Sequence, residues 1–507
     1  YGLSYTNFDI ELLDFKADKE KMTAKVQVTN IGKYAGKEVV ELFAMAPQGK
    51  LTKPLMSLVS FAKTTELAPG ESQKIDLEVP AYNFASFDDT GITGHKYAYI
   101  LEKGEYKFFI GENVREAQEI GSFEYSEDTV LEELEAICAP KEYIDRIIAH
   151  KINGSYIPKK VTVKPEKPYL RERIIKNLPK EIGHIVHNYN FELVKSGEIS
   201  VETFVSSLNN EELEALTRGQ GGMDSNYGVA GNAGALGGII PELNKKGIPP
   251  VITTDGPAGI RVRKYTSLIP CGTALASTFN TELVEKLATE MGRELRNAGS
   301  NVLLAPGMNI HRNVLCGRNF EYFSEDPLLT GKMAAAYVKG IQASGGSACP
   351  KHFACNNQES FRTVNNSIVS QRALREIYLK GFEICVKEAK PLNIMTSYNK
   401  INGVWSHYNY DLVTTVLRKE WGFDGSVMTD WWMQHSQSHE FPNLRDNAYR
   451  VRSQVDVYMP GSFKKTEKKY KPDKSLLETV GLKNGLTRGE LERSAINVLN
   501  MILKLKY

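Results

Sequence analysis

Hydrophobic and polar positions alternate from the start of the chain to about Glu127. Met22, Ala24, Val26 and Val28 are separated by polar residues, as are Ile75, Leu77 and Val79, and then Tyr106, Phe108 and Ile110. A period of two places one face of an extended strand against a core. Pro69-Gly70 and Gly111 supply turn chemistry between such runs, so the pattern predicts an all-β sandwich over residues 1–127. From Thr129 to Lys195 the sequence becomes charged and helix-compatible, and it is broken by Pro158, Pro165, Pro168 and Pro179. This predicts a linker with short helices over residues 128–199.

Beyond about Ser200 the pattern changes to apolar runs separated by helical stretches. The predicted strands are Pro250 to Thr254, Asn301 to Ala305, Ala348 to Phe353, Leu392 to Ser397, Ser426 to Thr429 and Val455 to Met459, each followed by a polar loop. Helical spacing follows in between, as at Leu412, Val416 and Leu417. Strands recurring in this way, over a span near the ~250 residues typical of the fold, predict a TIM-like (β/α)8 barrel over residues 200–507. Six strands are found rather than eight: either Gly219 to Gly238 hides an irregular start, or the barrel is incomplete. Leu491, Ala495, Val498, Leu499 and Ile502 form the apolar stripe of a closing helix that would lie against the barrel wall. The expected fold is therefore multidomain, a β-sandwich followed by a barrel, and the soft prior of about 150 residues per domain gives the same organisation for 507 residues.

Charge and cysteine narrow the function classes. Lysine and arginine number 63 against 61 acids, a net charge of +2, which gives no nucleic-acid footprint. Mean hydropathy is −0.34 and no apolar run reaches the roughly 18 residues of a membrane span, so no membrane partner is expected. The six cysteines stand singly, with no CxxC pair or zinc-ligand spacing, and read as reduced, packed thiols. A cytoplasmic setting is favoured and a secreted one stays open. The sequons at Asn153-Gly154-Ser155 and Asn365-Asn366-Ser367 receive no weight. The Gly219-to-Gly238 run lacks the strand and GxGxxG context of a dinucleotide site, and no cofactor or metal is expected. The chain opens at Tyr1 without a Met or a signal-like segment, which suggests that sequence upstream is missing.

Chemistry concentrates at the carboxyl ends of the predicted strands. Ser426 to Thr429 ends on Asp430, followed at once by Trp431 and Trp432. A carboxylate there is a candidate nucleophile, and an indole beside it suits the C–H face of a pyranose; the alternative is a capping Asp with two core Trp. Asp255, Arg318, Lys351-His352, Tyr398 and Asp456 occupy comparable positions. Acids, cations and rings in one set of loops suit a polyol, because charged groups bond hydroxyls while rings cover the apolar face. Each has a duller reading: Arg318 could simply pair with Glu321 or Glu325, and Tyr398 could cap the core.

Longer motifs add a resemblance. Thr254-Asp255-Gly256-Pro257-Ala258-Gly259, the run from Gly317 to Pro327, the run from Lys351 to Glu359, and Thr429-Asp430-Trp431-Trp432 resemble the motifs of family-3 glycoside hydrolases, particularly β-glucosidases. Tyr398 to Gly403 and Met459-Pro460-Gly461 also match, and Tyr1 to Thr6 is similar to the start of the family's fibronectin type III-like domain. The resemblance implies that Asp430 is the nucleophile of a retaining exo-β-glucosidase and forms a glycosyl-enzyme. It implies that Asp255, Arg318, Lys351, His352 and Tyr398 hold sugar hydroxyls, that Trp431 borders the pocket, and that Met395 belongs to the same substrate-binding set. Neighbours on a strand face opposite ways, and the family reconciles Lys351 with His352 through a non-proline cis peptide, expected here too. Asp255 favours glucose over xylose, which has no C6 hydroxyl to satisfy.

The chain departs from the family's usual order of barrel, αβα sandwich and fibronectin-like module. Here the module comes first, as in a circularly permuted member, with Leu491 to Tyr507 resembling the helix that leads out of the barrel. The family's general acid/base is usually a Glu on the αβα domain, which in a permuted chain would lie upstream of Tyr1 or on a companion chain. A retaining reaction needs a second carboxyl about 5–5.5 Å from the nucleophile. A His on the loop after Lys351-His352, the solution of another branch, is absent from Phe353 to Glu359. Glu321, Glu325 and Glu359 could stand in, although the family uses those positions structurally. Three readings stay open: a β-glucosidase, another β-glycosidase such as a β-xylosidase, and a sugar-binding barrel without turnover. A homo-oligomer is compatible with all of them.

Overall fold

The computed structural model describes residues 4–164, 169–461, 465–466, 469–470 and 475–506. Tyr1, Gly2 and Leu3 of the opening motif, the helix breakers Pro165 and Pro168, and Tyr507 lie outside the described residues.

The alternating segments form the expected sandwich. Phe8–Ala17, Lys21–Asn30 and Ser72–Pro80 make one antiparallel sheet; Ser57–Lys63, Val39–Met45, Gly104–Gly111 and Gln118–Tyr125 make the other. Met22, Val26, Val28, Val79, Tyr106 and Phe108 are buried in one shared core. Asn30 ties the loops at one end, accepting from Thr6 Oγ1 at 2.8 Å and donating to the carbonyls of Tyr34 and Leu67, both at 2.8 Å. A buried amide is retained only when its hydrogen bonds are met in this way.

The segment read as a linker with short helices is mostly β in its first half. Thr129–Glu133 pairs with Ala98–Leu101, which pairs with Ser86–Asp88, so a third small sheet continues past Glu127. Ile144–Ile152 and Ser155–Val163 then form a two-stranded hairpin. Its turn is Asn153-Gly154, with φ of 50° and 83°, the conformation that Asn-Gly turns adopt in tight hairpins. The missed signal was this dipeptide between β-branched runs, read only as a sequon. The helices Leu170–Lys176 and Glu192–Lys195 follow.

In the second half of the chain, Pro250–Asp255, Val302–Leu304 and Ser347–Ala348 are parallel neighbours, and so are Asn393–Thr396, Ser426–Trp431 and Val457–Met459. Gly234–Gly237, inside the glycine-rich stretch, lies antiparallel to Pro250–Asp255. Parallel bridges Gly307–Lys351 and Phe353–Thr396 connect the two sheets on one side. On the other side the bridge Arg218–Tyr458 and the bond from Gln220 N–H to Ala235 O, 2.9 Å, do the same. The run Ala348 to Phe353 is not the continuous strand expected: only Ser347–Ala348 is regular, after which Pro350 lacks a donor and the Lys351–His352 and Phe353–Ala354 peptides are cis.

Helices cover these strands. In Pro327–Ala343 the start is written by Asp326, whose side chain accepts from Leu329 N–H at 2.8 Å, with Pro327 in the first turn. The closing helix is Arg488–Lys504, capped by Thr487 and Glu490, and Leu491, Ala495, Val498, Leu499 and Ile502 are all buried. It joins a core with Val201, Phe204 and Leu213, and Arg488 donates to Asn210 Oδ1 at 2.9 Å and to Leu208 O at 2.7 Å. Asp456, grouped with the strand-end residues in the sequence, lies just before Val457–Met459 at its amino end. It is fully buried, bound by Arg418, Asn497 and Val427 N–H, so it serves the wall rather than the pocket.

The sandwich packs directly on the second half. Phe61 meets Phe279 edge-on at 5.3 Å, Lys63 Nζ donates to Thr278 O at 2.6 Å, and Phe87 N–H donates to Glu376 Oε1 at 2.6 Å. None of these atoms belongs to the pocket described below. Removing residues 1–127 is expected to lower the thermal midpoint while leaving ligand affinity in that pocket nearly unchanged; calorimetry on the truncated and full chains checks both, and a selective loss of affinity would contradict it.

Candidate active site

Asp430 follows the buried run Ser426–Val427–Met428–Thr429 one residue before the end of the strand Ser426–Trp431, and Trp431 N–H bonds back to its Oδ1 at 2.7 Å. Trp431 is anchored by its indole N–H to Ala233 O, 2.9 Å, so it forms the wall beside the carboxylate. Asp255 ends Pro250–Asp255, and the glycine after it is required: Gly256 sits at φ 121°, and a Cβ there would lie 1.8 Å from Gly259 O.

These strand ends converge on one cavity of about 800 Å³. Asp255, Arg318, Lys351, His352, Met395, Tyr398, Asp430 and Trp431, all marked in the sequence, line it, and Asp456 does not. Lys351 Nζ donates to Asp255 Oδ1 at 2.9 Å, and Arg261 reaches Oδ2 at 2.8 Å. Arg318 donates through Nε and Nη2 to Glu321, at 3.0 and 2.6 Å, while Nη1 lies 3.1 Å from His352 Nε2. Tyr398 donates to Trp431 O at 2.8 Å. With the Lys351–His352 peptide cis, both side chains line the cavity despite being neighbours.

The charges are sorted by environment. Burial alone would raise the Asp255 carboxyl, but Lys351 and Arg261 outweigh it and bring the pKa to about 2. Asp430 is shifted the other way: burial pushes it up, opposed by the Trp431 N–H and the fields of Lys351, Arg318 and Arg362. His352 is driven well below its ordinary value by burial and then by Arg318 and Lys351, so the ring is neutral. Tyr398 is raised by burial and by Asp430 and stays protonated. Because the folded pKa of Asp255 is depressed, its charge stabilises the fold above the ordinary aspartate value, and that contribution disappears as pH falls from about 4 toward about 2. Asp255→Asn is accordingly expected to lower the denaturant midpoint at pH 6 and to converge with the unsubstituted chain toward pH 2.

Several lining residues were not singled out in the sequence. Arg261 holds Asp255, and Arg362, in the loop after Lys351-His352, stacks over the Tyr398 ring at 4.8 Å. Both are cations in loops that immediately follow marked strand ends, which is the signal that could have found them. Glu321 was considered both as a stand-in acid and as a partner for Arg318; it is that partner, accepting from Nε and Nη2. Phe320, Leu268 and Trp432 form an apolar mouth and are exposed.

Comparison with known proteins gives matches over both halves of the chain. Residues 205–501 match the Glycosyl hydrolase family 3 N terminal domain, and residues 38–114 match the Fibronectin type III-like domain. The chain is 41% identical to a beta-glucosidase of Ruminococcus albus, over 99% of this chain and 52% of that protein. It is 39% identical to beta-glucosidase A of Butyrivibrio fibrisolvens, over 85% of this chain and 55% of that one. A crystal structure of a beta-glucosidase from Paenibacillus barengoltzii superposes on 100% of this chain and 56% of its own, with 42% identity and a TM-score of 0.93. Beta-glucosidase 3B from Thermotoga neapolitana, in complex with alpha-D-glucose, covers 61% of this chain and 43% of its own, with 41% identity and a TM-score of 0.54. The chain spans about half the length of the curated relatives it matches. With the match to the hydrolase domain extending over more than half its residues, preceded by a fibronectin type III-like module, the chain belongs to glycosyl hydrolase family 3.

Proposed function

We propose that this chain carries the sugar pocket and nucleophile of a retaining exo-acting β-glucosidase, built on a TIM-like barrel. The observation that carries this is the isolation of Asp430. It is the one carboxylate among the described pocket-lining residues that makes no short ion pair, since Asp255 is bound by Lys351 and Arg261 and Glu321 by both forks of Arg318. Its nearest cationic-type neighbour is His352 Nε2 at 3.6 Å, on a ring that burial keeps neutral. Asp430 is therefore free to attack an anomeric carbon, while Asp255, Lys351, Arg318 and His352 hold the hydroxyls of a terminal glucosyl unit and Trp431 covers one face. The relatives named as beta-glucosidases support the same substrate class.

The same pairing bears on the proton donor. A general acid must carry a proton near neutral pH. Asp255, at about 2, cannot, and both oxygens of Glu321 accept from Arg318. The reading therefore takes the acid/base from an αβα domain, upstream in the polypeptide or on a companion chain, as the resemblance implies. A sugar-binding barrel without turnover is the second reading, favoured by the same lack of a protonated lining carboxyl.

A dinitrophenyl β-glucoside separates the two, because that leaving group needs no acid. The chain is expected to release a burst of one dinitrophenol per site and then turn over slowly; tight glucose binding with no burst would support the second reading. The rate of covalent labelling by a fluorosugar is expected to fall on the acid side with an apparent pKa above 3.8, because the nucleophile must be ionised and burial raises its pKa. A limb below 3.8 would contradict Asp430 as the attacking group.

A further inference from the structure

His352 stands between the two groups that matter most for the proposed chemistry, Arg318 and Asp430, and its ring protonation is set by its neighbours on the pocket side and behind it. The chain of bonds starts at Glu359. This carboxylate receives Arg362 Nη1 at 2.9 Å and Asn356 Nδ2 at 2.9 Å. A carboxylate held by a guanidinium only accepts, so the Asn356 amide has its nitrogen turned toward Glu359. The same nitrogen donates to Tyr322 Oη at 2.9 Å. That phenol is fully buried and lies 3.2 Å from His352 Nδ1.

On the pocket side, Arg318 Nη1 lies 3.1 Å from His352 Nε2. A guanidinium has no acceptor, so Nε2 must carry a lone pair and the proton of the neutral ring must be on Nδ1. Nδ1–H then donates to Tyr322 Oη, which has two lone pairs, one for Asn356 and one for His352. The opposite tautomer fits worse on the pocket side, whereas toward Tyr322 it would only reverse the bond, with the phenol donating to Nδ1. It would point Nε2–H at an arginine N–H, and its one acceptor in the pocket, Asp430 Oδ2, is 3.6 Å away, beyond hydrogen-bond length. The ring's backbone is pinned as well: Asn309 accepts from His352 N–H and donates to His352 O, both at 2.9 Å.

We infer that Arg318 on the pocket side and the positioning residue Tyr322, backed by Asn356, behind the ring together hold His352 as the Nδ1–H tautomer, so that Nε2 accepts from Arg318 and turns no N–H toward the pocket. With its lone pair taken by Arg318, Nε2 leaves Asp430 without a competing N–H donor that would weaken it as a nucleophile. This consequence rests on the reading of the pocket as a glucosidase site; the tautomer does not.

The test is nitrogen NMR of the whole chain carrying ¹⁵N-labelled histidine, with the His352→Gln chain identifying the resonances of His352. At pH 7 the expected result is a protonated, pyrrole-type Nδ1 and an unprotonated, pyridine-type Nε2. Tyr322→Phe keeps the ring packing but removes the oxygen, and is expected to shift the Nδ1 resonance by loss of its acceptor while Nε2, still facing Arg318, stays pyridine-type. A protonated Nε2 in the unsubstituted chain would overturn the assignment whether or not Tyr322→Phe folds. Unchanged resonances in Tyr322→Phe would remove the role given to the phenol. Neither outcome depends on turnover, so a chain that fails the dinitrophenyl test could still pass this one.

Discussion

Asp430→Asn is expected to abolish the dinitrophenol burst and to lower the rate of sugar transfer by about 10⁴-fold or more, the scale seen when a nucleophile is removed from an otherwise intact site. Asparagine preserves the shape and can still accept the Trp431 N–H bond, so the pocket walls stay in place. Glucose binding should survive, because Asp255, Lys351 and Arg318 are bound to one another and to Glu321 rather than to Asp430. Intact-mass measurement after incubation with a fluorosugar reads the result directly: one added sugar on the unsubstituted chain, none on Asp430→Asn. Full labelling of the variant would place the nucleophile elsewhere and undo the proposed mechanism.

The largest expected effect on stability lies far from the pocket. Arg452 and Glu490 are both almost wholly inaccessible, and Arg452 Nη2 donates to Glu490 Oε2 at 2.8 Å and to Gly485 O at 2.7 Å. Arg452→Met leaves the carboxylate buried without its partner and is expected to cost about 3–5 kcal/mol. Glu490 has a second task, since it accepts from Thr487 N–H at 2.9 Å at the start of the last helix. Glutamine keeps that cap and carries no charge. Arg452→Met combined with Glu490→Gln should therefore recover much of the loss, and denaturant titration of the two single variants and the double one tests it. A double variant as unstable as the sum of the singles would show that lost packing, not an unpaired charge, is responsible.

Much of the sandwich was legible because its strands bury one face only: the alternation at Met22 to Val28 and at Ile75 to Val79 is the burial pattern itself. The closing helix was legible for the same reason at a different period. The hairpin at Ile144–Ile152 and Ser155–Val163 was not, because most of it is exposed or half-buried and its apolar positions do not sort cleanly onto one face. Asp456 was misread because an acid beside an apolar run looks the same at either end of a strand. The pocket was found through strand ends and motif resemblance together. The pair of Arg318 with Glu321 was offered by the sequence as one alternative, whereas that of Arg261 with Asp255 was not, because it depends on how the loop after the strand folds back on its last residue.

The contact of the Arg488–Lys504 helix with Val201, Phe204 and Leu213 has a consequence for synthesis on the ribosome. The apolar faces that open the second half of the chain must wait for nearly three hundred further residues before their cover is made. The sandwich, whose strands all pair within the first 125 residues, can close while translation continues. The nascent hydrolase domain therefore presents unburied hydrophobic surface for most of its production, and its yield should respond to chaperone supply and growth temperature more than that of the sandwich expressed alone.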